Sequence, residues 1–303
     1  MEFLKWLSNF RTPWMDTVME LITKLGEEAL FILVALIVFW CIDKKRGYFL
    51  LFVGFAGTIV NQFLKMIFRV PRPWVLDPDF QIVESARAEA TGYSFPSGHT
   101  QVASTTYLGL ARTAKRVWVS ILFALLTLLV AFSRMYLGVH TPKDVLVSLG
   151  IGILLVLLFH PIVYRFLSHP GAMFSLILGI LCLSIANIVF LNVYPFPADV
   201  DPANLNHAIE NAWKMLGLAL AMAIVYPLDL YVIKFETSCV WWAQILKLAV
   251  GFGIVMAIKS FLKAPINAAV GAELGNALRY FLLVIVAGAL YPAFFRLLPK
   301  KRR

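Results

Sequence analysis

Three short segments of this chain place charged and titratable groups where an otherwise apolar sequence has little reason to carry them. The first runs Lys65-Met66-Ile67-Phe68-Arg69-Val70-Pro71-Arg72-Pro73. The second is Pro96-Ser97-Gly98-His99, and the third runs Ser133-Arg134-Met135-Tyr136-Leu137-Gly138-Val139-His140-Thr141-Pro142-Lys143-Asp144. A lone lysine at a helix end snorkels, but Lys65 and Arg72 converging on a proline-rich break repel each other unless an anion offsets them. Ser97 suits a helix N-cap, Pro96 blocks helix upstream, and Gly98 lets a ligand approach the backbone closely. The free N–H groups of such a helix start, together with its dipole, form an anion site within reach of His99. His140 and Asp144 are four residues apart, so the carboxylate can contact the imidazole and fix its tautomer. Thr141-Pro142-Lys143-Asp144 is at the same time a passable helix-capping sequence. An orienting acid, a histidine base or nucleophile and a cationic phosphate clamp make a catalytic set.

These groups need rigid elements to hold them, and composition says which kind. The chain has 303 residues, 60% hydrophobic and 15% charged, with a mean hydropathy of +0.80. A soluble core cannot bury so much apolar side chain, so lipid must solvate much of it. A bilayer-length window gives an all-α polytopic membrane protein with about nine spans, near 26–42, 48–68, 98–114, 117–137, 142–165, 171–193, 208–233, 240–262 and 274–298. The third is short and rich in Thr and Ser, as expected of a helix enclosed by others. Before the first span, Phe3, Leu4, Leu7, Phe10, Trp14, Met15, Val18 and Ile22 recur at helical spacing, predicting an amphipathic interfacial segment over 1–25, broken near Pro13. The expected organisation is that segment, a functional core of five spans over 26–165, and accessory spans with a basic tail over 166–303.

Orientation follows from charge. Lys44-Lys45-Arg46, then Arg112, Lys115 and Arg116, then Arg165 and the tail Lys300–Arg303 share one side, which the positive-inside rule makes cytoplasmic. Loop 194–207, with Asp199 and Asp201 and no Lys or Arg, falls outside; Lys259 and Lys263 run against the rule. All three chemical segments then sit at the outer ends of spans.

The pattern Lys-(six residues)-Arg-Pro, Pro-Ser-Gly-His and Ser-Arg-(five residues)-His-(three residues)-Asp resembles the type 2 phosphatidic acid phosphatase superfamily over roughly residues 48–165. The resemblance implies a membrane phosphatase in which His140 attacks phosphorus, Asp144 orients it, and His99 serves as acid and then base. Lys65, Arg72, Arg134, Ser97 and the Gly98 amide would hold the phosphoryl oxygens, with no metal or other cofactor. The implied substrate is a lipid phosphate or diphosphate: isoprenyl diphosphate, phosphatidic acid, phosphatidylglycerol phosphate or a sphingoid-base phosphate. Loop 74–95, with Asp77, Asp79, Glu84 and Glu89, is placed to help choose among them. Two other readings are a soluble phosphate monoester hydrolase of the glucose-6-phosphatase type and a lipid-binding or transport protein without turnover. Intact His99, His140 and Asp144 argue against the last, because binding alone needs only the cations.

The remaining features carry plainer readings. The net charge of +10 marks cytoplasmic loops and contact with anionic membrane lipids, not a nucleic-acid surface. Cys41, Cys182 and Cys239 show no disulfide or zinc spacing, and no cleavable signal peptide is apparent. Asp77/Asp79 and Asp199/Asp201 lack the further ligands a metal needs and read as solvated loop acids. His160, His169 and His207 read as headgroup or cap contacts, and most tryptophans as interface anchors. Nothing in the sequence specifies an oligomeric state.

Overall fold

The computed structural model describes residues 1–300; Lys301, Arg302 and Arg303 of the expected basic tail lie outside the described residues. Among the described residues all regular structure is helical. The helices are α1 (Glu2–Ser8), α2 (Pro13–Lys24), α3 (Glu28–Leu36, continued by a π turn Ile37–Ile42), α4 (Lys44–Phe68), α5 (Pro73–Leu76) and α6 (Gly98–Ala103, continued by a π turn Ser104–Leu108). There follow α7 (Gly109–Thr113), α8 (Val117–Tyr136), α9 (Pro142–Phe166), α10 (Pro170–Val193), α11 (Pro202–Pro227), α12 (Trp241–Phe261), α13 (Lys263–Val270) and α14 (Ala272–Ile285).

Among the described residues seven helices are long and apolar enough to cross a membrane, starting at Lys44, Val117, Pro142, Pro170, Pro202, Trp241 and Ala272. An eighth arises if α2 and α3, bent by 48° across a short break, form one span. The remaining expected span, the third, 98–114, differs for a physical reason. From Gly98 to Thr113 it rises only about 24 Å, short of the ~30 Å hydrocarbon layer. Thr100, Ser104, Thr105 and Thr106 on it are all buried, so it is enclosed by protein rather than lipid. Its hydroxyls turn back on their own helix: Ser104 donates to the Thr100 carbonyl at 2.7 Å and Thr106 to that of Val102 at 2.7 Å.

The chain divides into two compact units. The first comprises residues 1–32, 49–161 and 196–208; the second comprises 33–48, 162–195 and the chain from 209 onward. In the first unit α8 is the central post, with α1, α2, α6 and α7 packed along it. Leu7 and Met19 join Ala86, Ala90, Tyr136, Leu137 and Val139 in one apolar cluster. Ile22 and Leu25 pack on a second cluster of Ala103, Tyr107 and Val130. The amphipathic N-terminal segment therefore turns Leu4, Leu7 and Met19 onto protein and leaves Phe3, Trp6, Phe10 and Trp14 exposed.

The second unit is held by buried polar ties that apolar solvent makes obligatory. Lys44 pairs with Asp229 at 2.7 Å, and the Tyr48 hydroxyl donates to the same carboxylate at 2.7 Å. Buried Lys247 donates to the Trp40 carbonyl at 2.7 Å, and the Trp40 indole to that of Ala287 at 2.9 Å. Helices α11 and α14 touch backbone to backbone at Gly217, where a Cβ would lie 2.0 Å from the Ala277 carbonyl oxygen. A carbonyl in a helix cannot swing aside. Gly217→Ala should therefore destabilise the protein by about 1–3 kcal/mol, read as a lowered unfolding temperature in detergent. Gly179→Ala, where an added Cβ meets nothing within 4 Å, should leave that temperature nearly unchanged.

Candidate active site

The first unit brings the three chemical segments to the ends of α4, α8 and α9 and the start of α6. Each arrives by a local device. Helix α4 stops at Phe68, Arg69 takes a left-handed φ of 46°, and Pro71 and Pro73 forbid further helix. Helix α6 starts at Ser97, whose Oγ accepts the Thr100 amide at 3.4 Å and the Thr100 hydroxyl at 3.0 Å. Between α8 and α9 the chain reverses at Gly138, φ +80°, where a Cβ would clash with Arg11 Nη2 at 2.7 Å. The reversal lets the Val139 amide bond the Arg134 carbonyl at 3.2 Å and carries His140 inward.

His140 is the centre of the arrangement and is buried. Arg72 Nη1 donates to His140 Nε2 at 3.0 Å. A guanidinium has no acceptor, so Nε2 must present its lone pair and the ring proton must reside on Nδ1. On the Nδ1 side, Asp144 Oδ2 is 3.5 Å away and Ser94 Oγ is 3.3 Å away. Asp144 Oδ2 accepts the Ser94 hydroxyl at 2.6 Å and the Thr141 amide at 2.8 Å. The Asp144 amide donates to Thr141 Oγ1 at 3.4 Å, so the α9 cap read from the sequence coexists with the contact to His140.

The cations are also buried. Lys65 donates through Nζ to the Tyr93 carbonyl. The rest of the Arg72 fork goes to the carbonyls of Gly92 (3.0 Å), Thr91 (2.7 Å) and Val139 (3.0 Å). Arg134 donates through Nη1 to Thr23 Oγ1 at 2.8 Å, while its Nε and Nη2 have no hydrogen-bond partner. The Ser97 amide bonds the Asp144 carbonyl at 3.2 Å, which locks the start of α6 to α9. A Cβ on Gly98 would meet only Asn61 Oδ1, at 3.9 Å, so open space rather than crowding surrounds it. His99 is half-buried, and its Nε2 has no partner. Ser133, by contrast, bonds back to the Val130 carbonyl in its own helix at 2.7 Å.

His140 lies between the membrane-spanning helices. Burial first, then the positive charges of Arg72, Arg134 and Lys65, hold its imidazole well below the ordinary histidine range. The ring is therefore neutral at neutral pH, the state a nitrogen nucleophile requires.

Three further side chains enter the site that motif spacing does not point to. Ser94 is fully buried beside His140 and Asp144. Asn61 precedes Lys65 by one turn and donates to the Pro96 carbonyl at 3.3 Å. Thr23 comes from α2. A buried Asn in an apolar helix is a detectable signal; Ser94 and Thr23 give none before the fold is known. Elsewhere, Asp77 pairs with Lys5 at 2.7 Å, His207 Nε2 lies 3.3 Å from Thr91 Oγ1, and His169 Nδ1 lies 3.0 Å from the Arg165 carbonyl. Among the described residues no three His, Cys, Asp or Glu side chains gather as a metal-ligand set.

Residues 46–168 match the PAP2 superfamily, and residues 213–303 match the PAP2 superfamily phosphatase, transmembrane extension. The chain belongs to the PAP2 superfamily. Undecaprenyl-diphosphatase BcrC of Bacillus subtilis (strain 168) is 32% identical over 150 residues, covering 48% of this chain and 73% of that protein. An undecaprenyl-diphosphatase of Sulfolobus acidocaldarius is 28% identical over 153 residues, 50% of this chain and 72% of the relative. Phosphatidylglycerophosphatase B of Bacillus subtilis (strain 168) is 29% identical over 163 residues, 49% of this chain and 75% of the relative. This PAP2 protein is an integral membrane enzyme, a lipid phosphatase that hydrolyses phosphoric monoesters or diphosphates. The eight residues singled out from the sequence fall inside the matched 46–168 segment, whereas Thr23 lies ahead of it.

Nitrogen-15 NMR of histidine-labelled protein checks the electrostatics. An ordinary histidine, pKa ~6.5, is largely protonated at pH 6. The His140 ring should remain neutral there without ligand, and added phosphate or orthovanadate should raise its apparent pKa. A ring titrating near the ordinary value in the free protein would contradict this account.

Proposed function

We propose that this PAP2 protein hydrolyses a lipid diphosphate or monophosphate, an isoprenyl diphosphate first among them, through a phosphohistidine on His140. The observation that carries the reading is the Nε2 lone pair of a neutral His140 held 3.0 Å from the Arg72 guanidinium, with Asp144 behind Nδ1. In the first step Nε2 attacks phosphorus and the bond to the leaving oxygen breaks. His99 gives that oxygen a proton. In the second step His99 takes a proton from water as the water oxygen attacks phosphorus, the P–N bond breaks and inorganic phosphate leaves.

Lys65, Arg72 and Arg134, with Ser97 and the Gly98 amide, hold the phosphoryl oxygens and stabilise the charge that builds on them. The unpartnered Nε and Nη2 of Arg134 support this, because buried guanidinium donors without acceptors are costly and an anion supplies what they lack. The open space beside Gly98 is where backbone can approach a ligand. The isoprenyl assignment draws on the two relatives named undecaprenyl-diphosphatase. A site at helix ends in a membrane protein suits a substrate whose apolar tail stays in the bilayer. The basic clusters at Lys44–Arg46 and Arg112–Arg116 lie at the opposite ends of their helices, so the site faces the extracytoplasmic side.

Phosphate release from farnesyl diphosphate, phosphatidic acid and glucose 6-phosphate by purified protein in detergent tests the reading. Activity should persist in EDTA and favour the lipids, and His140→Ala should abolish it. Arg72→Lys, which keeps charge but loses the planar fork, should lower kcat/KM by about 10²-fold. Labelled substrate should leave an alkali-stable, acid-labile phosphoryl group on the wild type and none on His140→Ala. Loss of activity in EDTA, or a fully active His140→Ala, would sink the mechanism; release from the sugar phosphate alone would sink the lipid assignment.

Orientation has a separate check, in a background with Cys41, Cys182 and Cys239 replaced. Ser85→Cys should react with an impermeant maleimide added outside cells, and Lys45→Cys should not. The reverse pattern overturns the orientation.

A further inference from the structure

Ser94 stands just ahead of the Pro-Ser-Gly-His tetrapeptide, and its surroundings are unlike those of four other buried serines. Ser104, Ser133, Ser148 and Ser184 each donate to a backbone carbonyl, at 2.7, 2.7, 2.9 and 3.0 Å. That is the usual way a helical serine satisfies itself in an apolar interior. The Ser94 hydroxyl instead donates to Asp144 Oδ2 at 2.6 Å, a length typical of a charge-assisted bond, and turns its oxygen to His140 Nδ1 at 3.3 Å. The direct separation from Nδ1 to Asp144 Oδ2, 3.5 Å, exceeds a normal N–H···O bond. The same carboxylate oxygen is already engaged by the Thr141 amide at 2.8 Å. Ser94 is itself fixed, since its amide donates to the Val70 carbonyl at 2.8 Å and its side chain is fully buried.

We infer that Ser94 is a positioning residue that links His140 to Asp144. The Nδ1–H donates to Ser94 Oγ, and the Ser94 O–H donates to the carboxylate. This chain of two hydrogen bonds acts with the Arg72 donor to hold the tautomer that leaves the lone pair on Nε2, facing Arg72. When Nε2 takes the phosphoryl group the ring becomes a cation, and the polarised hydroxyl carries the stabilising influence of Asp144 to it. No proton changes hands in the link: Nδ1 and Oγ each keep their own. Asp144 thereby acts on His140 chiefly through Ser94.

The inference rests on His140 being the nucleophile, as proposed above, so its test has one arm independent of turnover. Nitrogen-15 NMR of the full-length protein without substrate should show the Nδ1–H tautomer of His140 in the wild type. In Ser94→Ala, where only Arg72 still favours it, that preference should weaken to a measurable mixture of tautomers, and in Ser94→Thr, which keeps the hydroxyl, it should be retained. With farnesyl diphosphate as probe, Ser94→Ala should lower kcat by about 10- to 100-fold, with KM within about twofold, and Ser94→Thr should recover most of the rate. A wild-type ring protonated on Nε2 would overturn the link, and that measurement decides even if Ser94→Ala does not fold. A folded Ser94→Ala with wild-type kcat and tautomer would overturn it equally. A fully active His140→Ala would instead defeat the nucleophile assignment and leave the tautomer result standing on its own.

Discussion

The first unit is organised around an electrostatic imbalance. Lys65, Arg72 and Arg134 are buried beside one histidine, and among the described residues Asp144 is the carboxylate in contact with it. Burying like charges together is among the most costly arrangements a membrane protein can hold. The backbone answers it. Carbonyl oxygens of Thr91, Gly92 and Tyr93 meet Arg72 and Lys65, and that of Val139 meets Arg72 from the other side. Four carbonyls aimed at cations cannot lie in a regular helix, whose carbonyls bond within it. The irregular path of 91–97 and the sharp reversal at Gly138 are therefore consequences of the charge, not accidents of the loops.

The same economy shows at the helix starts. Ser97 caps α6, yet its amide and carbonyl are tied to Asp144 and Ser148 of α9. Asp144 caps α9, yet its side chain also reaches the residues that face His140. One set of hydrogen bonds thus terminates helices and fixes the geometry around His140. The short α6, sheltered by α8 and the segments around it, tolerates this because none of its polar side chains has to face lipid.

Much of this was legible in the sequence, for identifiable reasons. Hydropathy is a direct reading of solvent, so the long spans emerged within a few residues of their bounds. The site residues stood out because charge in an apolar chain is costly and because Pro and Gly mark where helices must stop. What sequence alone did not reveal were contacts between segments distant along the chain. Thr23 is one threonine on an amphipathic helix until the fold sets it against Arg134, 111 residues away. Ser94 is one serine in a loop until the turn at Gly138 brings His140 to it. The N-terminal segment carried the periodicity of a surface helix, and periodicity does not say whether the apolar face meets lipid or protein; Leu4, Leu7 and Met19 meet protein.

The bond between Thr23 and Arg134 also means that the recognisable family segment and the physically complete site have different boundaries. A fragment beginning at residue 46 would contain every motif residue and no partner for Arg134 Nη1, leaving a fully buried guanidinium with no acceptor for any of its side-chain donors. One lost hydrogen bond to a buried charged group costs about 1–3 kcal/mol, and α8 would lose the apolar cover of α1 and α2 with it. Homology defines the smallest piece that can be recognised, and here hydrogen bonding defines a larger piece that can stand.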